Sequence, residues 1–130
     1  MIAYADSSAL VKLAVAEPEG AELAAALSEY DAVVTSELAV VEVTRAAIRA
    51  AGQTGGEHAV DVLSTVGQLR IDRAVVERAA RLPPPALRSL DAIHIASALE
   101  LGAEVVVIAY DERLLSAATA AGLPFDSPGR

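Results

Sequence analysis

The stretch that decides the fold of this chain is Arg88-Ser89-Leu90-Asp91-Ala92-Ile93-His94-Ile95-Ala96-Ser97-Ala98-Leu99, followed by Val105-Val106-Val107-Ile108-Ala109-Tyr110-Asp111. The first part predicts a largely apolar helix with a carboxylate, Asp91, in its first turn. The second part predicts a short buried strand with Asp111 just beyond its end. Because removing an unpaired ion from water is costly, we expect each acid to have a partner or a metal beside it.

The composition predicts one domain covering residues 1–130, with a core of small aliphatic side chains. Hydrophobic residues make up 54% of the chain and aromatic residues only 3%, so the core must consist of Ala, Val, Leu and Ile. The absence of cysteine excludes disulfides and Cys-based zinc sites, and it fits a reducing cytoplasm, where we expect the protein to act. No basic segment precedes the first apolar run and charges interrupt every longer one, so we predict neither a signal peptide nor contact with a membrane.

The charge of the chain is strongly negative but unevenly spread. A net charge of −8 argues against a protein that binds nucleic acid by bulk electrostatics. Residues 1–44 sum to −7, whereas residues 70–88 sum to +3 through five arginines. A local site for an anionic partner is therefore compatible with the sequence, although for any single arginine we favour a solvated helix face.

Strand-like and helix-like patterns alternate along the chain. The predicted strands are Ile2–Ala5, Ala32–Thr35, Gly67–Ile71, Val105–Ala109 and a short one near Pro124–Asp126. The predicted helices are Ser8–Ala16, Glu19–Ser28, one running from a cap at Ser36 to Ala51, Glu57–Thr65, Arg73–Leu82 after a cap at Asp72, Ser89–Gly102 and Asp111–Ala121. We expect Gly52 and the pair Gly55-Gly56 to break the long helix, and Pro83-Pro84-Pro85 to form a stiff connector. This alternation predicts an α/β sandwich with a mainly parallel sheet, in which ligands bind at the carboxyl ends of the strands.

Four carboxylates fall where this architecture builds its sites. Asp6 follows the first strand and Asp111 follows the strand Val105–Ala109, while Glu42 and Asp91 lie in the first two turns of helices that begin near the same edge. Four converging carboxylates repel one another unless cations neutralise them, and hard oxygen ligands suit Mg²⁺ or Mn²⁺. Such ions activate water for attack on a phosphodiester, so that no histidine, cysteine or lysine nucleophile is required.

Each acid also has a purely structural interpretation. Asp6, Asp91 and Asp111 all stand where a side chain can cap a helix or interact with its dipole. Glu42 lies deeper in its helix, where a salt bridge to Arg45 or Lys12 is an ordinary alternative. We assign Glu37 to the helix dipole alone.

The sequence resembles the PIN-domain family, and within it the VapC-like toxins of toxin–antitoxin pairs, over essentially the whole chain. The residues that carry the resemblance form four segments in order: Tyr4-Ala5-Asp6-Ser7-Ser8-Ala9-Leu10-Val11-Lys12-Leu13, Thr35-Ser36-Glu37-Leu38 with Glu42 and Arg45, Arg88-Ser89-Leu90-Asp91-Ala92-Ile93-His94-Ile95-Ala96, and Tyr110-Asp111-Glu112-Arg113-Leu114. The resemblance implies a PIN-like three-layer sandwich and a metal-dependent endoribonuclease whose acids correspond to Asp6, Glu42, Asp91 and Asp111. It also implies a VapB-like antitoxin that covers the site, and a toxin homodimer.

Residues beside the acids have open roles at this point. A hydroxyl of Ser7 or Ser8 either orients Asp6 or a metal-bound water, or caps the helix, and we favour capping. Arg88 either meets RNA phosphate or forms an ion pair with Asp91. We predict that His94 is a packed scaffold residue rather than a ligand or base, and we give His58 no role.

Two other functional classes compete with the nuclease. An α/β module that uses its acids only to hold a partner predicts metal-independent binding and no RNA cleavage. A signalling receiver domain also gathers acids at strand ends, but it needs a lysine after a late strand, and the only lysine here is Lys12.

Overall fold

The computed structural model describes residues 1–102 and 104–130, and within them five strands form one sheet. The strands are β1 (Ile2–Ala5), β2 (Ala32–Ser36), β3 (Gly67–Leu69), β4 (Val105–Ile108) and β5 (Phe125–Asp126). Their order is β3-β2-β1-β4-β5, and every adjacent pair is parallel. The predicted parallel sheet is confirmed.

Six helices in the described residues cover the two faces of the sheet. They are α1 (Ser7–Ala14), α2 (Gly20–Leu27), α3 (Leu38–Ser64), α4 (Arg73–Arg81), α5 (Ser89–Glu100) and α6 (Glu112–Ala120). Alternate side chains of β1 point to opposite faces: Ala3 and Ala5 pack among α1, α2 and α3, whereas Tyr4 packs among α5 and α6. The predicted three-layer sandwich is therefore confirmed. None of the described helices is both long and apolar enough to cross a membrane.

The long helix α3 differs from the prediction at its glycines. Only Ala51 and Gly52 leave helical geometry, Gly52 with a φ of 62°, and the helix resumes after this kink and continues to Ser64. Gly55 and Gly56 lie inside the resumed helix, so the expectation that they break it is wrong. Gly55 is buried against the backbone of Ala47, and a Cβ at this position would lie 2.1 Å from the Ala47 carbonyl oxygen. Gly55 is thus required for close packing across the kink, whereas a Cβ at Gly56 would meet only side-chain atoms of Ile48.

Other helix ends follow the sequence signals. The side chain of Asp72 caps α4 by accepting a hydrogen bond from the N–H of Val75 at 3.0 Å, as predicted. Gly102, with a φ of 82°, follows the end of α5. Ser36 accepts from the N–H of Leu38 at 3.1 Å, which satisfies a free donor at the start of α3.

The register of β1 and β4 sets the position of the site. Ala5 lies opposite Ile108, and the N–H of Asp6 donates to the carbonyl of Ile108 at 3.1 Å. The ends of β1 and β4 therefore lie side by side. They form the topological switch point of the sheet, because β2 lies on one side of β1 and β4 on the other. This is the crevice in which open α/β sheets bind their ligands.

Candidate active site

Asp6 is the most buried of the four predicted acids. It is 4% exposed, and its Oδ1 accepts hydrogen bonds from the N–H of Ala9 at 3.0 Å and from Ser8 Oγ at 2.7 Å. Asp6 is therefore the N-cap of α1, and the prediction that Ser7 or Ser8 caps this helix is wrong. Burial raises the pKa of Asp6 to about 6, because the hydrogen bonds from Ser8 and Ala9 only partly offset the loss of water.

The two serines act on the acids. Ser8 Oγ donates to Asp6 and accepts from the N–H of Tyr110 at 2.9 Å, which ties the end of β1 to the end of β4. Ser7 Oγ donates to Oε1 of Glu42 at 2.5 Å. Ser8 therefore makes the hydrogen bond to Asp6 considered from the sequence, whereas Ser7 binds Glu42, a partner that the sequence did not indicate.

Glu42 lies on the face of α3 that is turned toward the site. Its Oε1 also lies 2.7 Å from Nε2 of His94, so the salt bridges to Arg45 or Lys12 considered from the sequence do not form. Lys12 instead binds Glu17 and Glu19, each at 2.9 Å. Burial alone would raise the pKa of Glu42, but the hydrogen bonds from His94 and Ser7 outweigh it and hold the pKa below its ordinary value.

His94 is a buried scaffold residue, as predicted, and it links Tyr4 to Glu42. It is 4% exposed, its Nδ1 lies 2.8 Å from the hydroxyl of Tyr4, and its Nε2 faces Glu42. Because the ionised carboxylate of Glu42 can only accept, Nε2 of His94 carries a proton and donates it in the hydrogen bond to Glu42. Burial raises the pKa of Tyr4, so its hydroxyl stays protonated beside Nδ1. Sequence reasoning missed this chain of bonds, although His94 stands one helical turn after Asp91.

Asp91 is in the first turn of α5 but does not cap it. The N-cap position is Arg88, whose side chain makes no capping bond. Oδ2 of Asp91 is buried and has no hydrogen-bond partner among the described residues. Burial raises the pKa of Asp91, and the negative charge of Asp111 raises it further.

Asp111 and Arg88 complete the predicted set. Asp111 is the N-cap of α6 and accepts from the N–H of Arg113 at 3.0 Å, so its capping role is confirmed. Asp111 is near enough for its charge to raise the pKa of Asp91, while the charges of Arg113 and Arg88 lower it. Arg88 is exposed, and within the part of the chain that the structure describes it forms no ion pair with Asp91, which excludes that alternative.

An open cleft of about 460 Å³ lies over this edge of the sheet. Glu42, Asp111, Ser7 and Ser8 line it together with two cations, Lys12 and Arg130. Sequence reasoning missed Arg130, since it lies at least 19 residues along the chain from each of the four predicted acids and belongs to no recognisable pattern. Only the tertiary fold brings it here.

The residues present fit a hard divalent cation by their chemistry. Among residues 1–102 and 104–130, no three His, Asp or Glu side chains are close enough together to enclose an ion. However, the buried oxygen of Asp91 lacks a donor, and Asp91 stands beside a second carboxylate. A cation between Asp91 and Asp111 would satisfy that oxygen and remove the repulsion, and carboxylate oxygens are the ligands that Mg²⁺ and Mn²⁺ prefer.

Comparisons with known proteins give a consistent result. The model of the PIN domain family matches residues 3–120. The chain is 40% identical over 126 residues to Ribonuclease VapC46 of Mycobacterium tuberculosis, covering 96% of each chain. It is also 40% identical over 132 residues to Ribonuclease VapC35 of the same organism, covering 98% of this chain and 97% of that one.

Solved structures of the same architecture are similar along nearly the whole chain. The Mycobacterium tuberculosis toxin VapC20, described as cleaving the sarcin–ricin loop, superposes with a TM-score of 0.74 at 18% identity, covering 93% of this chain and 95% of that one. The VapBC-1 structure from nontypeable Haemophilus influenzae gives a TM-score of 0.71 at 16% identity, covering 98% of both chains. At these identities the likeness concerns the fold.

Proposed function

Because the chain belongs to the PIN-domain family, we propose that it is an endoribonuclease toxin, which hydrolyses RNA phosphodiester bonds with Mg²⁺, or Mn²⁺, held by Asp6, Glu42, Asp91 and Asp111. The observation that carries the proposal is the buried oxygen of Asp91, which has no hydrogen-bond donor among the described residues and whose pKa is raised by the charge of Asp111. A partner-holding surface needs no such buried, unpaired oxygen, whereas a cation site does.

The division of labour among the residues follows from their contacts. When bound, the ion supplies Lewis-acid activation of a water and of a phosphoryl oxygen. The side chains of Ser7 and His94 both donate to Oε1 of Glu42, which fixes this carboxylate and keeps it ionised near neutral pH. The hydrogen bonds that Asp6 accepts as the N-cap of α1 hold its own carboxylate rigidly at the end of β1, so that the acids keep their spacing when RNA binds.

We further propose that the protein acts in the cytoplasm, forms a homodimer and is inhibited by a VapB-like antitoxin. Exposed apolar side chains on α3 support a protein partner, since Val41, Ile48 and Val60 are 57%, 49% and 62% exposed. The acidic segment from Glu17 to Asp31, which contains α2, offers a complementary charge to a basic antitoxin segment. Light scattering of the purified chain tests the dimer, and co-purification with the product of an adjacent small gene tests the antitoxin.

The nuclease proposal is tested with purified protein and structured RNA in Mn²⁺, with and without a chelator. We expect cleavage in Mn²⁺ to stop in the chelator and in the variants Asp6→Asn and Asp91→Asn. The matched control is Asp72→Asn, because Asp72 is also an N-cap aspartate that accepts from a backbone N–H at 3.0 Å but lies on α4. This variant should cleave RNA as the wild type does.

Two outcomes contradict the proposal. Cleavage that persists in the chelator and in both site variants would exclude the metal mechanism. Metal-independent binding of a partner, with no loss of RNA at any metal concentration, would instead support the non-catalytic binding module.

A further inference from the structure

Segment Ser127–Arg130 is tied down beside the active-site cleft. Ser127 Oγ donates to the carbonyl of Ala109 at 2.6 Å, and the hydroxyl of Tyr110 donates to the carbonyl of Pro128 at 2.6 Å. The N–H of Arg130 closes a turn onto the carbonyl of Ser127 at 3.1 Å. Three bonds therefore fix the position of Arg130 next to the junction between β4 and α6.

The guanidinium of Arg130 is held but only lightly paired. Its Nη1 donates to the carbonyl of Tyr110 at 3.0 Å, and its central carbon lies 5.3 Å from the centre of the Tyr110 ring. Its carboxylate neighbours are farther than hydrogen-bond distance, Glu112 at 3.7 Å and Glu19 at 4.0 Å. The side chain is 45% exposed and lines the cleft, and among the described residues only its bond to the Tyr110 carbonyl uses an N–H donor, so other donors are accessible to an anion.

Lys12, the other cation that lines the cleft, is already paired with two acids. Lys12 is only 10% exposed and makes two ion pairs at 2.9 Å, with Glu17 and Glu19. Its charge is already neutralised by these acids. Arg130 is therefore the cation of the cleft that is available to an incoming anion.

We propose that Arg130 binds a backbone phosphate of the RNA strand in the cleft lined by Glu42 and Asp111, an inference that rests on the proposed ribonuclease function. A chain of net charge −8 cannot hold RNA by its overall field, so local cations must supply the attraction. The planar fork of arginine matches a phosphate in two-point geometry, and the Tyr110 ring and carbonyl orient that fork before the RNA arrives. Arg130 would thus be a substrate-binding residue that the pattern of acids does not reveal.

The test compares Arg130→Gln with Arg73→Gln, which makes the same change of charge on α4, outside the cleft. The probe is a fluorescently labelled single-stranded RNA library of random sequence, cleaved in Mn²⁺ well below the melting temperature of each variant. We expect Arg130→Gln to raise the apparent KM about tenfold while kcat stays within about twofold, because a charge-assisted contact to substrate is lost. Arg73→Gln should match the wild type.

Salt dependence and a conservative variant separate binding from a structural role. Losing one phosphate contact should reduce the slope of log KM against log salt by about 0.7 for a single strand. Arg130→Lys, which keeps the charge but not the fork, should retain the wild-type slope with an intermediate KM. An unchanged KM and slope in Arg130→Gln, or a fall in kcat and melting temperature at constant slope, would overturn the inference. If the wild type itself cleaves no RNA in Mn²⁺, the proposed function fails, which is distinct from the failure of Arg130 alone.

Discussion

Replacing Asp6 by asparagine should stabilise the metal-free protein at neutral and alkaline pH. Asp6 is 4% exposed, and burial raises its pKa from 3.8 to about 6. Since the folded pKa lies above the unfolded one, folding favours the protonated carboxyl. The stabilising contribution of Asp6 is therefore complete below about pH 4 and is lost as the pH rises through about 6.

The size of the effect follows from the same pKa values. A change of one unit corresponds to about 1.36 kcal/mol, so the rise from 3.8 to about 6 makes the ionised side chain cost up to about 3 kcal/mol of folding free energy at pH 8. Asparagine avoids this cost, and its amide oxygen still accepts from the N–H of Ala9 and from Ser8 Oγ. The gain for Asp6→Asn should therefore grow from near zero at pH 4 to about 1–3 kcal/mol at pH 8.

Urea unfolding followed by circular dichroism, in a chelator and at several pH values, measures this gain. The control Asp72→Asn concerns an exposed cap and should change the free energy of unfolding by no more than about 0.5 kcal/mol. Adding Mn²⁺ should stabilise the wild type and not Asp6→Asn, because the variant has lost a ligand. A gain that does not vary with pH, or a variant less stable than the wild type at pH 8, would refute the reasoning.

Three further substitutions test a hydrogen bond at the site and the packing of α3. Tyr4→Phe removes the hydroxyl that lies 2.8 Å from Nδ1 of His94. The free energy of unfolding should therefore fall by about 1–3 kcal/mol, and kcat should fall with it. Unchanged values in urea unfolding and in RNA cleavage would contradict this role. Gly55→Ala should lower the free energy of unfolding by about 3 kcal/mol or more, since its Cβ would lie 2.1 Å from the carbonyl oxygen of Ala47. The Cβ of Gly56→Ala would approach only a side-chain atom, at 3.0 Å, so this variant should change the free energy of unfolding by less than about 1 kcal/mol. Equal melting temperatures for the two alanine variants would show that the kink of α3 is loosely packed.

The fold was predictable because its signals are local. The alternation of short apolar runs with helical patterns gives a parallel sheet, and the caps at Asp72 and Gly102 act within one turn of their own helices. The glycines of α3 were misjudged because Gly55 and Gly56 respond to a tertiary contact. A glycine required for close approach has the same sequence signature as a glycine that ends a helix.

The candidate site was predictable as a set of acids but not as a network. The sequence alone puts Asp6 and Asp111 at the ends of two predicted strands, and the structure shows that these strands are adjacent. It does not show that His94 donates to Glu42, or that the hydroxyl of Tyr4 lies 2.8 Å from the other ring nitrogen of that histidine, since these bonds join three separate segments. Arg130 is the extreme case, because its place in the cleft depends on a turn anchored to β4.

Capping and metal binding are not exclusive roles for an acid at the end of a strand. In a parallel sheet the chain leaves each strand at the carboxyl edge and begins a helix there, so an aspartate that caps this helix also stands at the ligand-binding edge. Asp6 and Asp72 show what separates the two cases: both accept from a backbone N–H at 3.0 Å, but Asp72 is exposed on the outer helix α4 while Asp6 is 4% exposed beside the central strands. A cap alone gains nothing from burial, because water stabilises its charge at no cost. Burial of a capping carboxylate is therefore the feature that indicates a second task, and it is a property of the fold that the identity of the residue does not reveal.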